Sequence, residues 1–276
     1  MATTELKYRH YLPQEIVRAK TPVKVLIVGA GGNGSRIFTG LAQMHVALTE
    51  LGHPGLAVTL VDPDRVSSSN PGRQLFTRPD IGLNKATVLA THANNHFGLG
   101  WDAYPVSFEK LSFEDTRDGG IHFIISCVDK VSVRREIVEQ IHKTLYLIDV
   151  GNTKKTGQVI LGTCPKGIKQ PNHPGAVSYI PHAFELYPNM EEYEKDAIQG
   201  PSCSMAESLR RQDLIINHWV ADGCLQLLWD GFHDGYLENS GVFIDAGAYK
   251  VRPLPIDPAV WARMGVKGEK ELKKAA

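Results

Sequence analysis

Apolar positions along this chain fall into short continuous runs, separated by stretches with helical spacing. Val25, Leu26, Ile27 and Val28 form an unbroken run of the kind a strand buried on both faces needs. Ile37, Leu41, Met44 and Leu48 then recur at helical spacing and predict a helix to about Leu51, where Gly52 and Pro54 stop it. Residues 56–61 are a second apolar strand ending in Asp62 and Asp64. Residues 85–96 predict a short helix, 103–108 a strand and 121–127 a stronger strand. A helix carrying Val133, Ile137 and Ile141 is predicted to start at Asp129, with further strands at 145–150 and 158–163. Strand, helix and strand in this order make a βαβ unit. The fold class expected is therefore α/β, a Rossmann-like, doubly wound, mostly parallel sheet.

The periodicity fails between Pro165 and Pro201, where Pro171, Pro174, Pro181 and Pro188 also interrupt the chain. An unpatterned segment of that length inside a compact domain is usually functional or mobile. Helical order is expected to resume at Ser204, with Met205, Leu209, Ile216, Val220, Leu227 and Leu228 on the apolar face, and to run to about Trp229. Residues 242–256 read as a late strand in which Gly247 marks a turn or bulge. No internal repeat is visible. The organisation expected is one domain over residues 1–276, with an N-terminal arm at 1–22, a crossing loop at 165–201 and a charged tail at 267–276.

Thirty basic and thirty acidic residues cancel, which removes the electrostatic footprint of a general nucleic-acid binder. The first residues contain no apolar core and carry Glu5 and Glu15, unlike a signal or transit peptide, and no apolar run is long enough to span a bilayer. Four scattered cysteines suggest a reducing compartment, so a cytoplasmic protein is expected.

Candidate chemistry begins where the first strand ends, at G-A-G-G-N-G (residues 29–34). Glycine lets backbone approach a ligand closely, and the helix that follows offers unpaired N–H groups and a partial positive charge, which suit phosphate. The motif alone does not separate NAD from ATP. Asp62 stands where a carboxylate can accept from ribose hydroxyls, or can simply shape the turn before Pro63; Asp64 reads as a turn residue. Asn70, Arg73, Gln74 and Lys85 add a basic pair that a dinucleotide does not require and a triphosphate does. Asp129 follows a strand's carboxyl end, suited to magnesium beside phosphate oxygens, or to capping the next helix. Cys203, in G-P-S-C-S-M-A-E at a helix start, is either an activated thiol or a semi-buried one. Cys127, Cys164 and Cys224 read as structural.

G-A-G-G-N-G, D-P-D-R-V-S-S-S-N-P-G-R-Q, D-I-G-L-N-K, and C-V-D with Arg134 downstream occur in that order over most of the chain. Together they resemble the ThiF/MoeB/ubiquitin-activating enzyme superfamily. Within it the chain is similar to the bacterial ThiF-related proteins of the plasmid-borne ParB-related, ThiF-related (PRTRC) cassette. The resemblance implies ATP- and magnesium-dependent adenylation of the C-terminal carboxylate of a ubiquitin-like protein. It places Gly29, Gly31, Gly32 and Gly34 at the ATP, Asp62 on the ribose, Asn70, Arg73, Gln74 and Lys85 on phosphates, and Asp129 on magnesium. Arg73, Lys85 and Asp129 would be catalytic, and Cys203 would accept the acyl group as a thioester. A conjugating-enzyme-like acceptor and a homodimer are implied as partners, with no nucleic acid or membrane. No C-x-x-C pair exists, so the structural zinc of many relatives is not expected, and Arg9 is only a loose counterpart of an arginine that relatives extend to a partner subunit. The alternatives are an NAD(P)-dependent oxidoreductase, which explains the glycines and Asp62 but not the basic pair, and a non-catalytic adaptor on the same fold.

Overall fold

A computed structural model describes residues 6–111, 120–190 and 213–266. Its centre is an eight-stranded sheet in the order β10-β9-β7-β6-β5-β2-β3-β4. The parallel part comprises β2 (Val23–Val28), β3 (Leu56–Val61), β4 (Asp102–Tyr104), β5 (Ile121–Ser126) and β6 (Thr144–Asn152). Beyond β6 the sheet turns antiparallel through β7 (Thr156–Thr163), β9 (Asn239–Asp245) and β10 (Lys250–Pro255). A two-residue ladder, β1 (His10–Tyr11) against β8 (Tyr236–Leu237), ties the N-terminal arm to the far end of the chain.

The apolar run of β2 is continuous because both faces of the sheet are covered. Val25 and Ile27 point to one core, with Phe123, Ile125, Tyr146 and Ile148 from the neighbouring strands. There they meet Ile37, Phe38 and Leu41 of α2 (Gly32–Glu50) and Val220, Cys224 and Leu228 of α6 (Ile216–Asp234). Leu26 and Val28 point the other way, to a second core with Ile124, Leu147, Ile137, Phe108 and Leu111. Ile137 belongs to α4 (Val131–Glu139). The alternation is that of any pleated strand, with two apolar faces in place of one. The remaining helices among the described residues are α1 (Gln14–Val17), α3 (Lys85–Phe97), α5 (Ala183–Leu186) and α7 (Pro258–Arg263).

Several expectations shift. The strand expected over 103–108 is shorter, Asp102–Tyr104, and Phe108 opens a 3-10 turn instead. The helix expected at Asp129 starts at Val131 with Lys130 as N-cap, so Asp129 does not cap it. The late strand at 242–256 is a hairpin, β9 to β10, whose turn includes Gly247 and Tyr249, the latter at φ 53°. The helix expected to end at Trp229 continues to Asp234, where Gly235 closes it in the left-handed conformation. Residues 165–190, without periodicity in sequence, are nonetheless packed: Ile168 and Ile180 are buried, and Ala176 bridges to Arg9. Tertiary anchors replace periodicity there. Ile180 donates its backbone N–H to Thr163 Oγ1 (3.1 Å) and the Tyr11 ring meets His173, while Tyr179 and the His182 backbone N–H both donate locally to the Glu185 carboxylate. Residues 191–201 and Ser204 to Arg211 lie outside the described residues. No described helix is long and apolar enough to cross a membrane.

Candidate functional site

The parallel strands end together, and their carboxyl ends surround a cavity of about 320 Å³. In open α/β sheets this crevice is where ligands bind. Gly29, at φ 98°, turns the chain out of β2, a conformation only glycine adopts freely. Gly31 is the N-cap of α2 and supplies no side chain to the first turn, whose N–H groups have no acceptor within the helix. A Cβ on Gly31 would meet nothing within 4 Å, so the space above it is open and lies in the cavity. Gly34 has a different reason to be glycine. A Cβ there would overlap the carbonyl oxygen of Gly29, and Gly34 does not line the cavity. Gly29, Gly31 and Gly32 line the cavity, while Gly34 lets the helix pack against its own loop.

Asp62 is buried and holds the loop in place. One carboxylate oxygen accepts from Ala30 N at 2.6 Å and the other from Asp64 N at 2.7 Å. Burial pushes its carboxyl above the usual carboxylate range, and the Lys85 ammonium opposes that push. Each oxygen retains a lone pair for a further donor. Lys85 begins α3, and its ammonium reaches Asp64 at 3.0 Å. Asn84 caps α3 and also donates to the carbonyls of Asp62 (2.8 Å) and Asp64 (3.0 Å), which fixes the lysine relative to the turn.

Arg73 and Gln74 reach the cavity from the long loop after β3. Burial lowers the Arg73 pKa, and the Asp129 charge opposes that shift. Asn70 differs from Arg73, Gln74 and Lys85 in that it does not line the cavity. Its side-chain oxygen accepts from Ser67 N (2.8 Å), its carbonyl accepts from Arg73 N and Gln74 N, and it is absent from the lining. Its part is to build the turn that presents Arg73 and Gln74. An apolar wall of Val61, Phe108, Val128 and Val133 suits a base. Cys127, expected within a strand, follows β5 and lines the cavity floor, its thiol pushed well up by burial.

A second cavity, of about 670 Å³, opens over β6, β7, β9 and β10 and shares Asp129 and Asn152 with the first. Arg134 sits in its wall and clamps three segments. It donates to Val128 O (2.9 Å) beside Asp129 and to Val150 O (3.4 Å) at the end of β6, and it touches Met190 Sδ (3.7 Å). Asp149, buried with its carboxyl raised by burial, pairs with Arg134 at 3.5 Å.

Sequence reasoning missed Asn152, Asn217, Lys130 and the Asp64–Lys85 pair as parts of this region. Isolated polar residues at strand and helix ends carry no spacing signal. Arg9 is held within its own chain, by Glu238 at 2.7 Å and over the Tyr236 ring at 4.4 Å. Cys203 lies outside the described residues, and no group of three metal-ligand side chains occurs among those described.

The ThiF family model matches residues 12–229. The chain belongs to the ThiF family. Among curated proteins, the Nedd8-activating enzyme E1 catalytic subunit of Drosophila melanogaster is 28% identical to this ThiF-family chain over 205 residues, covering 72% of the chain and 42% of that protein. The corresponding subunit of Saccharomyces cerevisiae is 34% identical over 122 residues, covering 44% and 38%. The chain therefore spans about two-fifths of the length of these relatives. Among solved structures, E. coli MccB with AMPCPP and MccA superposes with a TM-score of 0.56 at 15% identity, covering 88% of this chain and 65% of that one. MccB with ATP gives 0.55 at 16% identity, covering 85% and 64%. At such identities the likeness shows the fold, a Rossmann-like α/β architecture.

Proposed function

We propose that this ThiF-family chain binds ATP in the glycine-loop cavity and transfers AMP to the terminal carboxylate of a polypeptide lying in the second cavity. The observation that carries this reading is the shared wall: the two cavities meet at Asp129 and Asn152, where an α-phosphate and an incoming carboxylate would approach one another. Gly31 and the first turn of α2 receive phosphate, Asp62 holds the glycine loop and the ribose, and Arg73 and Lys85 neutralise charge that develops as the carboxylate oxygen attacks the α-phosphorus and pyrophosphate leaves with the broken α–β anhydride bond. Positioning two reactants supplies much of the acceleration in such a step.

The donor set fits magnesium delivered with the nucleotide. Asp129 lines the cavity with Asp62, Asp64 and Glu109, and magnesium characteristically takes one or two carboxylates with phosphate oxygens and water. Bound there, the ion would neutralise phosphate charge. Lys85 meanwhile passes from Asp64 to phosphate, a short move for a flexible ammonium.

The finer reading is that the polypeptide is a ubiquitin-like protein and that the chain belongs with the PRTRC-cassette members of the family. What supports it is the run of motifs from residue 29 to Arg134, and the E1 catalytic subunits among the relatives. Cys203 takes the acyl group as a thioester in this reading, and the chain acts as a homodimer in the cytoplasm. Titration calorimetry with ATP–magnesium and with NAD tests the nucleotide assignment. One-to-one ATP binding with no NAD binding is expected. Tight NAD binding without ATP binding would leave the oxidoreductase reading in its place.

A further inference from the structure

The outer end of the second cavity carries two cations that the proposed chemistry does not use. Lys250 and Arg252 line it from β10. Both are exposed, and neither has a hydrogen-bond or ion-pair partner among the described residues. As alternate residues of one strand they share a face and stand about 6.5–7 Å apart, a gap one carboxylate can bridge. Asp245 is opposite Lys250 in the ladder, but its carboxylate accepts from Ala248 N at 3.0 Å and holds the hairpin turn. Arg134, the cavity's inner cation, is likewise taken by Asp149 and the backbone of Val128. Lys250 and Arg252 are thus the two cations of this wall left for a ligand.

Backbone pairing is a poor alternative at this edge. β10 is the last strand of the sheet, and Pro253 and Pro255 lack the N–H groups that an added strand would need. Recognition here falls to side chains. The sheet order also gives a length. From β6, which ends at Asn152 beside Asp129, to β10 is three strand spacings, about 14 Å in all. An extended chain advances roughly 3.4 Å per residue, so it crosses that distance in about four residues.

We propose that Lys250 and Arg252 select polypeptides bearing an acidic side chain about four residues before the terminal carboxylate. The inference rests on the reading that this carboxylate meets the nucleotide at Asp129. It turns the outer cavity from a passive channel into a charge-reading one.

Fluorescein-labelled decapeptides ending in Gly-Gly with a free carboxylate, and carrying Asp, Ala or Lys at the fourth position from the end, test it by anisotropy with the full chain. The Asp peptide should bind at least fivefold more tightly than the Ala peptide, and the Lys peptide more weakly than either. The double variant K250E/R252E should invert that order while leaving ATP affinity unchanged, which also reports that it is folded. Equal affinities, no binding of any peptide, or an unchanged order in K250E/R252E would overturn the proposal. ATP–pyrophosphate exchange with the same peptides separates the two readings. Exchange without a charge preference removes only the role of Lys250 and Arg252. A charge preference without exchange keeps that role and removes adenylation.

Discussion

Replacing Gly31 by Ala should separate binding from folding. Gly31 has an extended backbone, φ −78° and ψ −150°, so alanine introduces no left-handed strain. Its new Cβ meets no protein atom within 4 Å and projects into the open cavity. The expected stability loss is confined to the N-cap, where alanine is worse than glycine by about 1 kcal/mol. The binding cost is larger, because the methyl stands where a phosphate oxygen would meet the first-turn N–H groups. Losing one hydrogen bond to a charged group costs about 1.5–3 kcal/mol, or roughly 10- to 150-fold in Kd. Calorimetry with ATP–magnesium reads the affinity and urea unfolding reads the fold. Gly34→Ala is the contrasting control. Its Cβ overlaps the Gly29 carbonyl, so it should lose at least about 1–3 kcal/mol of stability. A Gly31→Ala protein that folds normally and binds ATP within twofold of the wild type would refute the placement of phosphate at this loop.

Three further outcomes are expected. His10 is buried between Val177 O (2.6 Å) and the Tyr146 hydroxyl (2.8 Å), and burial lowers its pKa to about 4. The unfolded chain takes up that proton first, so the stability His10 contributes is present above about pH 6.5 and is lost as pH falls towards 4, by about 3 kcal/mol in all; a His10→Gln protein should show a shallower fall in urea titrations across that window, and an identical slope would contradict the assignment. Asp129→Ala should abolish nucleotide chemistry with little change in unfolding, because Lys130 and not Asp129 is the N-cap of α4; near-normal pyrophosphate exchange would contradict the metal role. Cys203→Ala should retain exchange while losing any thiol-sensitive complex on a non-reducing gel, and a persistent complex would place the acyl group on another residue.

What could be read from sequence followed from how local each signal is. The β2 run and the glycine loop were legible because a doubly covered strand and a tight glycine turn into a helix each impose their pattern on consecutive residues. Lys85 and Asp62 were legible as candidates, but Asp64 was not, since its ion pair crosses from the turn after β3 to the start of α3. The difference between Gly31 and Gly34 was invisible for a similar reason. One faces open space and the other faces Gly29 O, and only the folded loop distinguishes them. The segment from Pro165 read as structureless because its order comes from Arg9, Tyr11 and Thr163, partners distant in sequence. The antiparallel half of the sheet, with the second cavity over it, depended on where β9 and β10 return, which no local pattern specifies.

Adenylation as proposed requires a carboxylate in the second cavity to attack ATP held in the first. The decisive measurement is ATP–pyrophosphate exchange, run with a cognate polypeptide ending in a free carboxylate and with the same polypeptide ending in a carboxamide. Exchange is expected with the carboxylate form and none with the carboxamide, with AMP as the nucleotide product. Exchange of equal rate with both forms, or release of ADP in place of AMP, would contradict it.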